Sequence, residues 1–75
     1  MSKEHPIWIT YSNAGADKTI LVQVTIPGES HLFFCDTEAQ VRDAIERCAS
    51  ILRQKGYAPF KYDLRKKGKL ERVFV

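Results

Sequence analysis

The chain has 75 residues, of which 44% are hydrophobic and 28% are charged. This composition is typical of one folded domain and excludes a disordered or low-complexity segment, and the length excludes a second core. We expect residues 1–75 to form a single α+β domain, with residues 1–5 as a frayed N-terminus. No apolar run approaches the roughly 20 residues that span a bilayer, and the first residues lack a signal-peptide pattern. We therefore expect no membrane association and a cytoplasmic location.

Charge is distributed unevenly along the chain. The net charge is +3. Residues 1–52 hold four basic and seven acidic side chains, which sum to −3, whereas residues 53–75 hold eight basic and two acidic side chains, which sum to +6. The last third of the chain is therefore a strongly positive segment attached to a mildly acidic body.

The first half of the chain predicts three strands. Residues 6–11 are rich in β-branched and aromatic side chains, and residues 19–26 alternate with one apolar face formed by Ile20, Val22, Val24 and Ile26. The Pro27-Gly28 pair predicts a type II turn, because proline presets φ and glycine accepts the positive φ that follows. Residues 31–35 are apolar on both faces, so we expect this strand to lie centrally or under a helix.

Residues 37–55 predict an amphipathic helix. Its apolar stripe has helical spacing and should pack on the second strand; the stripe consists of Val41, Ile45, Cys48 and Leu52. Thr37 and Gln40 fit a capping box, with Asp36 as a competing N-cap. Gly56 is the expected C-terminal stop.

The C-terminal residues 60–75 predict a β-hairpin. A tight turn at Lys67-Gly68 would pair Tyr62 with Val73. In that register one inner face carries Phe60, Tyr62, Val73 and Val75. A longer loop over residues 65–69 would shift the register. The expected fold is therefore α+β: an antiparallel three-strand meander packed by one amphipathic helix and followed by a C-terminal β-hairpin, in the order βββαββ.

The sequence contains no evident catalytic or metal-binding motif. Cys35 and Cys48 are widely spaced, and Cys48 lies in the apolar stripe, so we expect two reduced, metal-free, packed thiols. His31 has no sequence-evident catalytic partner, and the glycine motifs that bind phosphate are missing. We expect no enzymatic activity, no cofactor and no small-molecule substrate.

A basic cluster in the C-terminal hairpin is the main functional signal. Aromatic side chains interleave with it, and its six members fall within twelve residues: Lys61, Arg65, Lys66, Lys67, Lys69 and Arg72. Phosphate backbones bind such clusters by releasing counterions, and aromatic rings can stack on bases. The alternative is a hairpin whose lysines prevent edge-to-edge aggregation. We predict that these six residues bind nucleic acid.

Two functions are compatible with this pattern. The first is a small nucleic-acid-binding or regulatory protein that uses the basic hairpin. The strand–strand–strand–helix order is similar to that of small DNA-binding domains that read a groove with a three-stranded sheet. The strand over residues 19–26, however, presents only Thr19, Leu21, Gln23 and Thr25 outward, so the hairpin is the expected surface.

The second function is a protein–protein interaction module without catalytic activity. Examples are a homodimeric accessory protein and a small phage or mobile-element inhibitor of a host complex. Aromatic side chains dominate interface energetics, and the candidate anchors are Trp8, Phe33 and Phe74. The sequence leaves open whether the partner is DNA, RNA, another protein or a second copy of the chain.

Overall fold

The computed structural model describes residues 3–12, 19–65 and 72–75. Its elements, in chain order, are β1 (Lys3–Tyr11), β2 (Ile20–Ile26), β3 (Glu29–Cys35), α1 (Glu38–Gln54), β4 (Tyr57–Asp63) and β5 (Val73–Phe74). The strands form one mixed sheet in the order β3-β2-β1-β4-β5. The β1–β4 pair is parallel, and the other three neighbouring pairs are antiparallel.

The position of β4 corrects the expected architecture. The α+β class, the β1–β2–β3 meander and the single packed helix are as predicted. Instead of forming only a separate hairpin, β4 follows the crossover helix and pairs with the far side of β1. Lys3–His5, expected in a frayed terminus, belong to β1 and lie opposite Tyr57–Pro59. Parallel strands are joined by a long crossover and not by a short turn, so no local turn motif in the sequence predicts the β1–β4 pairing.

The β4–β5 register also differs from the expected one. Phe60 pairs with Phe74 and Lys61 with Val73, whereas we predicted Tyr62 opposite Val73. A shift of one residue moves every side chain of a strand to the other face. Val73 is therefore exposed and does not share a face with Phe60. The turn expected at Lys67-Gly68 lies outside the described residues.

Strand β3 forms an edge of the sheet rather than a central strand, and the other expectation, that it lies under a helix, holds for the face that carries Phe33 and Cys35. A two-residue turn at Pro27 and Gly28 leads into it, and Gly28 has the positive φ of 84° that this turn was predicted to need. Leu32 and Phe34 are 53% and 62% exposed. The apolar character of both faces of β3 therefore does not reflect burial on both faces.

Helix α1 begins and ends as the local sequence predicts. Thr37 is the N-cap: its hydroxyl accepts a hydrogen bond from the Gln40 backbone N–H at 3.2 Å, and the Gln40 side chain accepts one from the Thr37 N–H at 3.3 Å. Asp36 is not the cap, although its backbone N–H also donates to Gln40. Gly56 follows the helix with φ of 86°.

The core lies between α1 and one face of the sheet. The predicted helix stripe is buried, and it packs with apolar side chains of the first three strands: Ile7, Ile9, Ile20, Val22, Val24, Ile26 and Cys35. Phe33 and Tyr57 border this cluster and are partly buried. The side of the sheet that carries these residues is therefore covered by α1, and the opposite side has no helix among the described residues.

Candidate nucleic-acid interface

The open face is the side of the sheet that points away from α1. Directly paired residues of neighbouring strands place their side chains on the same face of a sheet. The pairs Leu32–Gln23, Gln23–Trp8 and Trp8–Tyr62 therefore run across the open face from β3 to β4. Its large apolar and aromatic side chains are Leu32, Phe34, Leu21, Trp8, Phe60, Tyr62 and Phe74.

Four aromatic rings form a continuous row on this face, which we call the aromatic row: Trp8, Tyr62, Phe60 and Phe74. The ring centroids lie 5.2 Å apart for Trp8–Tyr62, 6.2 Å for Tyr62–Phe60 and 5.7 Å for Phe60–Phe74. All three pairs are tilted or edge-to-face, the arrangements that aromatic quadrupoles favour. Phe60 is 8% exposed and forms the floor of the row, whereas Phe74 is 55% exposed.

Arg72 lies at the β5 end of the aromatic row. Its guanidinium carbon is 5.8 Å from the centroid of the Phe60 ring, a cation–π distance. Arg72 Nη1 also donates to Glu4 Oε2 at 2.7 Å, and both side chains remain largely exposed. A positive group therefore adjoins the aromatic row, but a carboxylate on β1 neutralises it.

Arg65 occupies a different environment from the one a phosphate contact needs. Its guanidinium donates two hydrogen bonds to the Asp63 carboxylate, at 3.0 and 2.9 Å, and one to Glu38 at 2.7 Å. The side chain is 13% exposed. The hydrogen bonds to Asp63, with that to Glu38, raise the pKa of Arg65 above its ordinary value. Arg65 therefore ties the end of β4 to the first turn of α1.

Lys61, the remaining described residue of the predicted cluster, is not on the aromatic row. Lys61 pairs with Ile7, so its side chain lies on the α1 side of the sheet, where it lines a cleft of about 120 Å³ with Arg42 and Arg65. Lys66, Lys67 and Lys69 lie outside the described residues. Of the six predicted residues, the structure therefore places Arg72 beside the row and Lys61 and Arg65 on the other side of the sheet.

The cysteine and histidine side chains have structural surroundings. Cys35 and Cys48 are buried and free, as the packing prediction expected. His31 Nε2 lies 2.9 Å from Glu29 Oε1, and Glu29 also forms an ion pair with Lys55 at 3.0 Å.

Within residues 3–12, 19–65 and 72–75, no group of three or more His, Cys, Asp or Glu side chains could hold a metal ion. In the same ranges, no helix has the length and apolar character needed to cross a membrane.

The comparisons with known proteins bear on neither of the two predicted functions. No family model, curated protein or solved structure matches this chain. The geometry of the open face is therefore the basis for assigning a function.

The contact of Trp8 with the rings of β4 is the feature of the candidate site that sequence reasoning missed. The sequence predicts that Phe60 and Tyr62 share a face of the hairpin, and it presents Trp8 only as an isolated anchor. The parallel pairing of β1 with β4 brings Trp8 and Tyr62 together. One sequence signal was available: Trp8 lies between Ile7 and Ile9, so in a strand whose isoleucines are buried it must point outward.

Proposed function

We propose that the protein binds single-stranded nucleic acid on the open face, with bases stacked on the aromatic row. The observation that carries this proposal is the row of Trp8, Tyr62, Phe60 and Phe74 on the face that α1 does not cover, with Phe60 buried, Phe74 exposed and Arg72 at the end of the row. Sheets that present aromatic rings bind RNA by stacking two or three splayed bases, and single-strand-binding proteins combine such rings with basic grooves.

A single strand fits this surface better than a duplex does. The rings lie on a sheet face whose exposed side chains are largely apolar and aromatic, and a duplex keeps its bases paired and stacked, out of reach of such rings. Unpaired bases expose their flat faces, and every base has one, so the recognition is tolerant of sequence. The most exposed rings of the row, rather than the floor residue Phe60, would make the stacking contacts.

The basic segment, residues 66–72, would supply contacts to phosphate. It carries four basic residues and one acidic residue, a net charge of +3. The chain leaves the aromatic row after Tyr62 and returns to it at Phe74, so both ends of the segment adjoin the row. Arg72 is beside Phe60. Counterion release by the lysines of this segment would make binding depend on salt.

Fluorescence of Trp8, the single tryptophan of the chain, provides the test. Oligo-dT and oligo-rU strands of about 10 nucleotides should quench it, more strongly at low salt. Phe74→Ala should weaken binding by about 1–3 kcal/mol, the value of one stacked base. Phe34→Ala is the matched control, because Phe34 is an equally exposed phenylalanine on the same face but at the far edge.

Three results would count against nucleic-acid binding. They are the absence of quenching by either oligonucleotide at low salt, an affinity that salt does not change, and equal losses for Phe74→Ala and Phe34→Ala. The last result would mean that the whole apolar face, rather than the aromatic row, makes the contact.

A protein–protein interaction module is the second candidate. It is favoured by the β3 side of the open face, where Leu32 and Phe34 are exposed and lie at the opposite edge from Arg72. Exposed apolar side chains of this kind mark protein-binding surfaces more often than nucleic-acid-binding ones. This candidate would be favoured if Phe34→Ala abolished binding to a protein partner and if oligonucleotides did not quench the fluorescence of Trp8.

A further inference from the structure

The outer edge of β3 carries main-chain groups that the sheet does not pair. A two-residue turn closes on a hydrogen-bonded residue pair, here Ile26–Glu29, and hydrogen-bonded pairs then alternate along an antiparallel ladder. Glu29, His31, Phe33 and Cys35 therefore direct their main-chain groups toward β2. The N–H and C=O groups of Ser30, Leu32 and Phe34 point away from the sheet.

This edge lacks the features that commonly prevent strand pairing. Proteins protect sheet edges with proline, lysine, bulges or very short strands. Strand β3 contains no proline, lysine or arginine, and all seven of its residues are in regular register with β2. Its acidic residue, Glu29, lies at the beginning of the strand and is engaged by His31 and Lys55. The opposite edge strand, β5, has only two residues.

We propose that two copies of the chain pair antiparallel along β3, about a two-fold axis at Leu32. Leu32 is the middle of the three outward-directed residues, so this axis sets Leu32 beside Leu32 of the second copy and Ser30 beside Phe34. All outward main-chain groups of both strands are then hydrogen-bonded. The exposed side chains of Leu32 and Phe34 pack against those of the second copy on the open face.

Charges on α1 favour a second copy as the occupant of this edge. A groove of about 390 Å³ between β3 and α1 is lined by residues 32–35 of β3 and by Gln40, Asp43, Ala44 and Arg47 of α1. Asp43 and Arg47, which carry opposite charges, therefore both border the edge strand. A two-fold axis at Leu32 runs the two helices antiparallel and brings the two grooves to the same seam, so each copy presents one acidic and one basic side chain to the other. The surface is thus complementary to itself, as a two-fold interface requires.

Charge substitutions at Leu32 test the axis directly. Wild-type protein should sediment with twice the 8.6 kDa mass of the chain. Leu32→Lys and Leu32→Glu should each be monomeric, because each places like charges side by side across the axis. An equimolar mixture of the two variants should recover the dimer, which also shows that both fold. Gln23→Lys and Gln23→Glu, on the same face but on the inner strand β2, should leave the dimer intact.

Amide hydrogen exchange separates edge pairing from association through the open face. The N–H groups of Ser30, Leu32 and Phe34 should exchange more slowly as protein concentration rises, and Leu32→Lys should abolish that dependence. A wild-type monomer at high concentration, a failure of the mixed variants to associate, or outward amides whose exchange does not depend on concentration would each overturn the proposal. Because Gln23 separates Leu32 from Trp8 on the open face and the other rings of the aromatic row lie farther from β3, quenching of Trp8 by oligonucleotides should survive in Leu32→Lys, so the two proposals can fail separately.

Discussion

Individual basic side chains differ in their availability to a ligand, and their partners decide the difference. Arg65 is committed to Asp63 and Glu38, whereas Arg72 is held by one exposed carboxylate, Glu4. The sequence predicts that both are charged. It does not predict their partners, because Glu38 lies on α1 and Glu4 on β1, far from the basic segment in the chain.

Removal of the Glu4 charge should strengthen nucleic-acid binding. Glu4→Gln frees Arg72, which already lies over Phe60, to contact a phosphate. Titrations of Trp8 fluorescence at several salt concentrations should show tighter binding and a slope of log K against log salt that is steeper by about 0.7, the value of one contact on a single strand.

Glu46→Gln is the control for net charge. Glu46 is exposed on α1, on the covered side of the sheet, so its substitution changes the charge of the molecule by the same amount without freeing Arg72. If the two variants bind equally well, the effect of Glu4 is only one of net charge.

At the scale of secondary structure, local signals were sufficient for α1 and insufficient for the sheet. The cap, the stripe and the stop of the helix depend on residues within a few positions of one another, and all three are confirmed. The neighbours of β3 and β4 depend on contacts between distant parts of the chain. Apolar residues on both faces of β3 are equally compatible with a central strand and with an edge strand that has an exposed apolar face.

The burial of α1 predicts a loss of stability at alkaline pH. Burial, with a smaller contribution from nearby Cys35, raises the pKa of the Cys48 thiol from 9.0 to about 11. As the pH rises, the Cys48 thiol ionises first in the unfolded chain, and this ionisation favours unfolding. The free energy of unfolding therefore keeps its full value below about pH 9 and declines toward about pH 11. Urea unfolding across this pH range should therefore show declining stability.

Cys48→Ala provides the comparison for this decline. The variant is less stable at neutral pH because it loses packing, but its stability should fall less between pH 9 and 11 than that of the wild type. Parallel pH profiles for the two proteins would mean that Cys48 ionises equally readily in the folded and unfolded chains.

At the scale of the whole molecule, the uneven distribution of charge could be predicted from the sequence, whereas the location of the proposed binding surface could not. The totals of −3 and +6 follow from the sequence. The candidate site cannot be predicted without the strand order, because Trp8 from the first strand lies beside Tyr62 and Phe60 from the fourth. The sequence alone assigns binding to the hairpin, whereas the proposed surface also includes the open face.

The basic segment should determine how strongly salt weakens binding. Replacing Lys66 and Lys67 together with alanine should flatten the salt slope on a single strand by about 1.4, twice the value of one contact. Replacing Arg42 and Lys55, which are exposed on the α1 side, removes the same charge and should change the slope little. Equal flattening by both pairs would indicate a diffuse electrostatic attraction and no phosphate contacts by these lysines.

Pro6 divides the sheet along part of its length. The β1–β2 ladder runs only from Tyr11–Ile20 to Trp8–Gln23. Beyond it, β1 remains paired with β4 as far as Lys3–Tyr57, and β2 remains paired with β3 as far as Ile26–Glu29. Proline has no N–H to donate, so the ladder ends beside it. Strand β1 thus joins the β2–β3 pair only along Trp8–Tyr11, and beyond Trp8 the sheet splits into two separate strand pairs, with Trp8 at the junction. A nucleic-acid strand stacked on Trp8 would therefore rest at the point where the two pairs join into one sheet.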